Sequence, residues 1–362
     1  MTGTVMITTG GTGGHVFPGL AVAARLIARG WKVFWLGTRD GIESRLVPAN
    51  GVEFESMRFG GVRGKGLRQT ILGPFELLKS MVQSYQVIRR RRPDVVLALG
   101  GFVSFPGAAM ALVCRKPLAI HDANAVAGLA NRVLAFGAQR VLLGFPDALH
   151  GKHAAKTEWV GNPVSEAIAG VAAPEQRFAT RSGALHLLVV GGSLGATALN
   201  ERVPAALALL PREARPIVTH QSGEKHLDAA RTAYANAGVD AECLPFIPDI
   251  ARRYAEADLV ICRGGALTVS ELAAVGVASI IVPLPGAIAD EQSQNADFLV
   301  RAGGAIVIAQ AALTPEKLAQ VLRECSRDKL YAMSVAARRV GRTDAAERVA
   351  TACIELGDGA SA

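Results

Sequence analysis

The feature that most constrains the fold of this chain is a unit of strand, glycine loop and helix that occurs twice. Residues 5–9 lead into the loop GGTGGHVFPGLA, and residues 187–190 lead into GGSLGATALN. Around both units, continuous runs of Val, Ile and Leu alternate with helical patterns, which is typical of strands buried on both faces of a parallel sheet. The sequence therefore predicts repeated βαβ units and two Rossmann-like domains in tandem.

Six strands are predicted in each half of the chain. They cover residues 5–9, 32–37, 52–57, 95–100, 118–121 and 141–145, and then 187–191, 216–220, 243–246, 259–262, 279–283 and 305–308. The 362 residues exceed the roughly 250–300 beyond which one hydrophobic core stops growing. We therefore divide the chain into domains 1–161 and 162–341, joined near residues 161–174. A last helix, predicted over residues 344–356, can pack on either domain. Residues 342–362 can therefore belong to the first domain, and the sequence leaves this open.

The sequence predicts a cytosolic chain with reduced thiols. No stretch reaches the ~18 uninterrupted apolar residues of a spanning helix, and the N-terminal MTGTVMITTG lacks the basic flank of a signal peptide. The five cysteines are scattered without C-x-x-C spacing, which argues against a zinc site or a disulfide framework.

The positive charge of the chain is local. The formal net charge is +8, and nine basic residues with one acid lie between Arg58 and Arg92, so the rest of the chain is balanced. One basic segment on a neutral body argues against general nucleic-acid binding and for a local anionic partner.

An apolar stripe at helical spacing lies within this basic segment, over residues 72–88. The stripe and its basic neighbours comprise Leu72, Phe75, Leu78, Lys79, Val82 and Tyr85, flanked by Arg63, Lys65, Arg68 and residues 89–92. Such a pattern is typical of an interfacial membrane contact, where each basic residue near anionic lipid contributes about 1 kcal/mol. The alternative is a core helix with a solvated basic end.

The first glycine loop, residues 10–15, precedes a helix predicted to start near Pro18. Glycines let the backbone approach a ligand closely, and a helix N-terminus favours anions. His15 lies where the helix begins, which disfavours the imidazolium, so we expect either a neutral base or a histidine that only hydrogen-bonds the loop. The G-x-G-x-x-G spacing ends at Val16 in place of Gly or Ala, which disfavours a nicotinamide dehydrogenase.

A second segment with chemical potential starts at Cys262, which ends a predicted strand and precedes a helix over residues 267–275. The amides at the helix start, with the hydroxyls of Thr268 and Ser270, can hold a diphosphate without a metal. Glu271 can accept both hydroxyls of a ribose, or it can be a solvated helix charge; the apolar helix around it favours the ribose. No Asp-x-Asp pair for holding Mg²⁺ occurs in the sequence, so we expect neither a metal nor a cofactor.

Six motifs occur in a fixed order along the chain. They are GGTGGHVFPGLA, GGFVSFPG, HDANAVAGLANR, GNPV, GGSLGA and RGGALTVSELAAVG. In this order and spacing they resemble the MurG family of cell-wall N-acetylglucosaminyltransferases over essentially the whole chain. The resemblance implies an α/β protein of the GT-B fold, in which two Rossmann-like domains with parallel sheets face a central cleft. It places the acceptor in the N-terminal domain and the donor in the C-terminal domain.

The same resemblance implies an inverting, metal-independent reaction. N-Acetylglucosamine would move from UDP-GlcNAc to the 4-hydroxyl of MurNAc in undecaprenyl-pyrophosphoryl-MurNAc-pentapeptide (lipid I), giving lipid II for peptidoglycan. The enzyme would lie peripherally on the cytoplasmic face of the inner membrane. Its partners would be UDP-GlcNAc, lipid I and an anionic membrane surface, with no nucleic acid.

Residue roles also follow from the resemblance, with His15 the leading candidate for the general base. It assigns the phosphates to Thr12, Gly13 and Gly14, the sugar nucleotide to Asn124, the donor diphosphate to Ser193, the uracil to Ile247, phosphate and ribose to Ala266, Leu267, Thr268, Val269, Ser270 and Glu271, and the GlcNAc to Gln292. Ser165 stands where the family often has an arginine, and Gln294 can share the role of Gln292. Two rivals remain open: another GT-B sugar-nucleotide enzyme such as an epimerase, and a non-catalytic sugar-nucleotide-binding subunit.

Overall fold

The computed structural model describes residues 3–59, 67–149, 154–192, 195–286 and 290–360. The chain divides into two compact units. Unit 1 comprises Met1–Ser165 and Thr343–Ala362, and unit 2 comprises Glu166–Arg342. Each unit has its own parallel sheet and its own hydrophobic core, so the two are described separately.

Unit 1 contains a seven-stranded parallel sheet. Its strands are β1 Thr4–Thr8, β2 Lys32–Thr38, β3 Glu53–Met57, β4 Val95–Ala98, β5 Leu118–Asp122, β6 Arg140–Leu143 and β7 Thr157–Trp159. The strand order is β3-β2-β1-β4-β5-β6-β7. At the centre, Ile7 pairs with Trp35 on one side and with Leu97 on the other. Every residue of β4 and β5 is buried, because helices cover both faces of the sheet.

Unit 2 contains a six-stranded parallel sheet. Its strands are β8 His186–Val190, β9 Ile217–Gln221, β10 Glu242–Leu244, β11 Leu259–Cys262, β12 Ala278–Ile281 and β13 Ala305–Val307. The order is β10-β9-β8-β11-β12-β13, which repeats the reversal seen in unit 1. Ile261 pairs with Val189 of β8 and with Ile280 of β12, and all three are buried in the centre of the sheet.

Helices connect the strands of the two sheets, and three more follow the last strand. The helices are α1 Gly13–Ala28, α2 Glu43–Ala49, α3 Leu67–Arg91, α4 Gly101–Val113, α5 Leu129–Leu134, α6 Glu166–Ala169, α7 Pro174–Phe178, α8 Thr197–Ala208, α9 Leu227–Asn236, α10 Ile250–Glu256, α11 Ala266–Val275, α12 Glu291–Ala302, α13 Pro315–Arg323, α14 Arg327–Val340 and α15 Ala345–Ala360. In the described part of the chain, no helix combines the length and the apolar character needed to cross a bilayer.

The last helix, α15, packs on unit 1. Val349, Ala350 and Cys353 are fully buried and share a core with Val22 and Leu26 of α1. The chain therefore returns to its first unit at the C-terminus, which decides between the two placements that the sequence left open.

The two Rossmann-like domains predicted from the sequence are confirmed, and each of the twelve predicted strands has a counterpart. The strand missed is β7, Thr157–Trp159, which has an exposed glutamate at its centre and no apolar run. The predicted start of α1 near Pro18 is wrong, since the helix begins at Gly13. A proline removes only its own amide donor and crowds the carbonyl four residues earlier, so a helix can start ahead of it. Helix α3 likewise extends beyond the predicted residues 72–88 at both ends.

Candidate functional site

In both units the strand order reverses beside the first strand. β1 lies between β2 and β4, and β8 lies between β9 and β11. The connections that leave the carboxyl ends of such neighbouring strands diverge and leave a crevice, where ligands of open α/β sheets bind. The connections concerned are residues 9–12 and 99–100 in unit 1, and residues 263–265 with the described residues 191–192 and 195–196 in unit 2. The topology therefore places the glycine loops of the sequence where a ligand is favoured.

The first glycine loop ends in a helix start that keeps its amides available. Thr12 is extended and its carbonyl accepts from the backbone amides of His15, at 3.1 Å, and Val16, at 3.2 Å. Among the described residues no side chain caps this end of α1, whereas hydroxyl groups cap α13 and α14. Gly13 and Gly14 form the first two positions of the helix. A Cβ on Gly14 would touch only the Thr12 hydroxyl, at 3.7 Å, so packing does not require glycine there.

His15 is the third residue of α1 and is partly buried against the loop that follows β4. A Cβ on Gly101 would lie 3.6 Å from Nε2 of the imidazole, and a Cβ on Gly100 would lie 3.7 Å from Cε1. Burial lowers the pKa of His15, and the carbonyl of Leu99 acts in the opposite direction as a hydrogen-bond acceptor. The imidazole is therefore neutral at pH 7, which leaves one ring nitrogen able to accept a proton.

A buried aspartate organises the loop that follows β5. Asp122 Oδ1 accepts from the backbone amide of Asn124 at 3.1 Å. Its Oδ2 accepts from the backbone amide of Gly128 at 3.0 Å and from the side-chain amide of Asn131 at 2.9 Å. Burial raises the pKa of Asp122, while these donors act against the shift. The predicted substrate contact Asn124 is thereby held at the carboxyl edge of the sheet.

Two of the sequence motifs meet at this edge. Nε2 of His121 lies 3.0 Å from the carbonyl of Gly161, and Nδ2 of Asn162 donates to the carbonyl of Ala123 at 2.9 Å. Burial lowers the pKa of His121 to about 4, so the ring is neutral and Nε2 donates to the carbonyl. The GNPV motif is therefore held against the start of the HDANAVAGLANR motif. Ser165 directly follows GNPV and is the last residue of the first segment of unit 1.

The second glycine loop, after β8, depends on Gly195. The predicted diphosphate contact, Ser193, lies outside the described residues. Gly195 has a φ of +77°, and a Cβ there would lie 2.2 Å from the carbonyl oxygen of Ser222. Nδ2 of Asn200 donates to the same carbonyl at 3.1 Å. Both the backbone conformation and the close approach therefore require glycine at position 195.

A buried histidine fixes Asn200 in turn. Nε2 of His220 lies 3.0 Å from Oδ1 of Asn200, and Nδ1 lies 2.9 Å from the hydroxyl of Tyr234. Since the amide oxygen can only accept, Nε2 carries the proton and Nδ1 accepts from the tyrosine. Burial lowers the pKa of His220 to about 4, so this neutral tautomer persists at pH 7. The network ties α8 to the loop after β9.

The predicted phosphate and ribose residues lie on the first two turns of α11. No side chain among the described residues caps this helix, which Gly265 precedes. The partly exposed residues are Ala266, Leu267, Thr268, Ser270 and Glu271. Val269 is fully buried, so only its backbone can reach a ligand. The predicted uracil contact Ile247, after β10, is also buried, so only its backbone can reach a ligand. Its neighbour Phe246 is exposed.

Glu271 lies in a site that withholds water from its carboxyl group. The hydroxyl of Tyr254, on α10, donates to Oε2 at 3.4 Å. Burial raises the pKa of Glu271 from 4.5 to about 7, and the hydrogen bond from Tyr254 acts against this rise. Burial also raises the pKa of the neighbouring Cys262 thiol to about 12, so the thiol adds no charge at pH 7. The burial of the carboxyl group argues against a freely solvated helix charge, although the residue as a whole is partly exposed. When ionised, Glu271 can present two acceptor oxygens.

Gln292, at the start of α12, holds the loop ahead of α11. Its Oε1 accepts from the backbone amides of Gly264, at 3.2 Å, and Leu284, at 2.9 Å. Nδ2 of Asn295 donates to the carbonyl of Gly264 at 3.1 Å. A Cβ on Gly264 would lie 2.3 Å from the carbonyl oxygen of Gln292. The side-chain oxygen of Gln292 is therefore occupied by backbone amides of the protein. Its Nε2 amide is the group that can donate to a sugar.

Helix α3 exposes its apolar face. Phe75, Leu78 and Val82 are 70%, 61% and 49% exposed, and Tyr85 continues the stripe. The opposite face is buried and includes serines, such as Ser84, whose hydroxyl donates to a backbone carbonyl of its own helix. The stripe therefore does not face the core, although Val87 and Ile88 on the other face of the same helix do. Such an apolar surface is typical of an interaction site.

Only some of the described basic side chains of this segment are exposed beside the stripe without an ion pair to β3. Lys79 and Arg89 are exposed. Arg90 pairs with Glu55 at 2.8 Å, and Arg91 pairs with Glu53, so these two guanidinium groups face β3. The predicted contact Leu72 has no described side chain, and neither has Arg68, while Arg63 and Lys65 lie outside the described residues.

Two family models match the chain. The model for the glycosyltransferase family 28 N-terminal domain matches residues 5–143, and the model for the glycosyltransferase family 28 C-terminal domain matches residues 186–349. Each match falls largely in one of the two units, with the second extending into α15.

The chain is also similar to curated proteins over nearly its whole length. It is 54% identical over 98% of its length, and 98% of the relative's, to the UDP-N-acetylglucosamine–N-acetylmuramyl-(pentapeptide) pyrophosphoryl-undecaprenol N-acetylglucosamine transferase of Aromatoleum aromaticum. It is 52% identical to the protein of the same name from Ralstonia nicotianae, over 97% of this chain and 96% of the relative.

Solved structures show the same relation. The structure of Acinetobacter baumannii MurG matches with a TM-score of 0.83 and 37% identity, covering 98% of this chain and 99% of that one. A UDP-N-acetylglucosamine 2-epimerase matches with a TM-score of 0.66 at 14% identity, covering 96% of this chain and 95% of that one. At this identity the likeness to the epimerase shows the fold alone.

Proposed function

The chain belongs to the MurG family, the UDP-N-acetylglucosamine–N-acetylmuramyl-(pentapeptide) pyrophosphoryl-undecaprenol N-acetylglucosamine transferases, and we propose that its two units divide the two substrates. It is a glycosyltransferase of the GT-B fold that moves N-acetylglucosamine from UDP-GlcNAc to lipid I, which gives lipid II for peptidoglycan. Unit 2 binds the donor, and unit 1 binds the acceptor and carries the base. The observation that carries the function is the 54% identity over 98% of the chain.

The donor site is the start of α11 together with the second glycine loop. The uncapped amides of the first turn of α11 hold the diphosphate, since a helix N-terminus favours anions. Glu271 accepts from the two ribose hydroxyls, and Tyr254 holds its carboxylate. The backbone around Ile247 meets the uracil, and the Nε2 amide of Gln292 donates to the GlcNAc.

The catalytic base is His15. The acceptor 4-hydroxyl attacks the anomeric carbon from the face opposite UDP, the bond from that carbon to the diphosphate oxygen breaks, and His15 takes the hydroxyl proton. The lowered pKa of His15 supports this role, because the imidazole is neutral and ready to accept. Negative charge grows on the leaving diphosphate, where helix-start amides stabilise it without reorganising.

The exposed stripe of α3 docks the enzyme on the anionic, cytoplasmic face of the inner membrane, where a lipid-linked acceptor is found. Phe75, Leu78 and Val82 enter the interface, and Lys79 and Arg89 face the lipid headgroups. The exposure of this stripe supports the proposal, since the opposite face of the same helix, with Ser80, Ser84, Val87 and Ile88, is the buried one.

Transfer of labelled GlcNAc from UDP-GlcNAc to a soluble lipid I analogue tests the function, with EDTA present throughout. We expect transfer at an undiminished rate, because helix ends and not a metal neutralise the diphosphate. Release of ManNAc or UDP from UDP-GlcNAc without transfer to the acceptor would point to an epimerase or a hydrolase of the same fold.

A further inference from the structure

Glu43, the first residue of α2, is fully buried although it carries a carboxyl group. Its Oε1 accepts from the backbone amide of Thr38 at 2.9 Å and from the Thr38 hydroxyl at 2.5 Å, at the end of β2. Its Oε2 accepts from the backbone amide of Gly11 at 3.2 Å, in the first glycine loop. A buried carboxylate needs such donors, and here they come from two different strand ends.

Three glycines make room for this carboxyl group. A Cβ on Gly10 would lie 2.2 Å from Oε1, and one on Gly41 would lie 2.2 Å from Oε2. A Cβ on Gly37 would lie 2.7 Å from Cγ of Glu43. None of the three has a positive φ, so close approach and not backbone conformation requires glycine at these positions. The loop and the end of β2 are thus shaped around Glu43.

The amide that Glu43 holds lies directly ahead of the start of α1. Gly11 has a φ of +94° and precedes Thr12, whose carbonyl accepts from the amide of His15 at 3.1 Å. A displacement of Gly11 therefore displaces the first turn of α1 and the imidazole on it. Nε1 of Trp35 donates to the carbonyl of Thr9 at 2.9 Å, which anchors the other end of the loop to the same strand, β2.

We propose that Glu43 is a positioning residue for the transfer reaction, because its carboxylate fixes the first glycine loop through the Gly11 amide and thereby sets the position of His15. The inference rests on the proposed role of His15 as base. Glu43 acts through the loop and contacts no substrate, so its removal lowers the rate of the chemical step and leaves donor binding in unit 2 unchanged.

Glu43→Gln tests this role because it preserves size and leaves a single acceptor oxygen. Thr38 supplies two donors and Gly11 one, so the oxygen stays with Thr38 and the new amide group faces the Gly11 amide, donor against donor. We expect kcat to fall about 10–100-fold, as for a small misplacement of a catalytic group, with KM for UDP-GlcNAc within about twofold of wild type. Hydrogen exchange at residues 11–15 becomes faster.

Thr38→Val is the matched control on the same carboxylate. It removes the hydroxyl donor to Oε1 and leaves the bond from Oε2 to Gly11 intact. Asp94→Ala is a second control, since Asp94 Oδ2 accepts from the amide of Thr4 at 2.8 Å, at the far end of β1. Both controls lose thermal stability and keep kcat within about twofold, because neither touches the loop that carries His15. All variants are assayed well below the lowest melting temperature.

A double-mutant cycle with His15→Ala separates this inference from the proposed function. If Glu43 acts through His15, Glu43→Gln causes no further loss of kcat in the His15→Ala background. Additive losses, or an unchanged kcat in Glu43→Gln alone while His15→Ala is impaired, overturn the role of Glu43 and leave His15 as base. Full activity of His15→Ala overturns the base assignment and the inference with it.

Discussion

At the scale of the residue, the proposed donor site buries the ionisable carboxyl group of Glu271. The pKa of Glu271 rises from 4.5 to about 7 because the carboxyl is buried. In the proposed donor site, the ionised form offers two acceptor oxygens to the ribose hydroxyls, whereas protonation turns one of them into a donor. Glu271 is held near its titration point, so hydroxyl donors of a bound nucleotide would favour the carboxylate.

UDP binding is predicted to depend on pH through Glu271. Below about pH 7 the carboxyl becomes protonated, so the Kd for UDP rises as the pH falls, by at most about tenfold per unit and until only the contacts that do not involve Glu271 remain. Isothermal titration between pH 5.5 and 8.5 measures this dependence. Glu271→Gln serves as the control, because glutamine does not titrate and its residual pH dependence reports the phosphate of UDP alone.

Stability provides the check that Glu271→Gln is folded. In the unfolded chain the carboxyl titrates near 4.5, so the stability contributed by the protonated form is complete below that pH and is lost as the pH rises through about 7. The glutamine variant avoids this loss and is expected to be more stable than wild type at pH 8, by about 1–3 kcal/mol. A UDP affinity that is independent of pH in the wild type would contradict the assignment of Glu271.

The sequence predicted the residues that a local pattern exposes and missed those that depend on distant neighbours. His15 and Glu271 lie next to glycine loops and helix starts, which a short stretch of sequence is enough to identify. Tyr254 reaches Glu271 from another helix, and Glu43 reaches Gly11 across the end of β2, so neither pairing has a local signal. Asp122 was missed although it has a local signal, because it is an acidic residue at the end of a buried strand.

At the scale of the element, the strands were predictable because their apolar runs are continuous. Strands buried on both faces leave an unbroken signal, and twelve were found. The three-residue β7 was missed because an edge strand this short buries too little to leave a pattern. For α3, the period predicted a helix, yet which face meets solvent depends on the neighbouring elements, so the exposure of the apolar stripe could be learned only from the structure.

Helix α3 leads to a prediction about lipid surfaces. Phe75→Ser with Leu78→Ser removes two of the most exposed apolar side chains of the stripe. Burial of such side chains is worth about 2 kcal/mol each, so binding to vesicles of anionic phospholipid weakens by up to about 10³-fold. Co-sedimentation at low salt measures the partition coefficient of each variant.

The control for this experiment lies in unit 2. Leu209→Ser with Ile217→Ser replaces side chains that are 44% and 56% exposed, outside the α3 stripe. This pair of substitutions is expected to leave vesicle binding unchanged. Equal binding by all three proteins, or no binding by the wild type, would rule out α3 as the membrane contact.

At the scale of the whole molecule, one arrangement is used twice. Each unit has a parallel sheet whose order reverses beside its first strand, and each places a glycine loop and a helix start at that reversal. In the proposed function, the unit with His15 supplies the base and the unit with Glu271 recognises the donor, so substitutions in one unit are expected to leave the role of the other intact. The two-domain fold was predictable from the sequence because the strand, loop and helix unit is repeated there, whereas the division of the substrates followed from the family resemblance.

The measurement that tests the central claim most directly is the transfer rate of His15→Ala, compared with its affinity for UDP. Loss of a general base lowers kcat by about 10²–10⁴-fold, while the Kd for UDP, set in unit 2, stays within about twofold of wild type. Since burial lowers the pKa of His15, wild-type transfer also persists below pH 6.5. A His15→Ala variant that transfers GlcNAc at the wild-type rate would contradict the account.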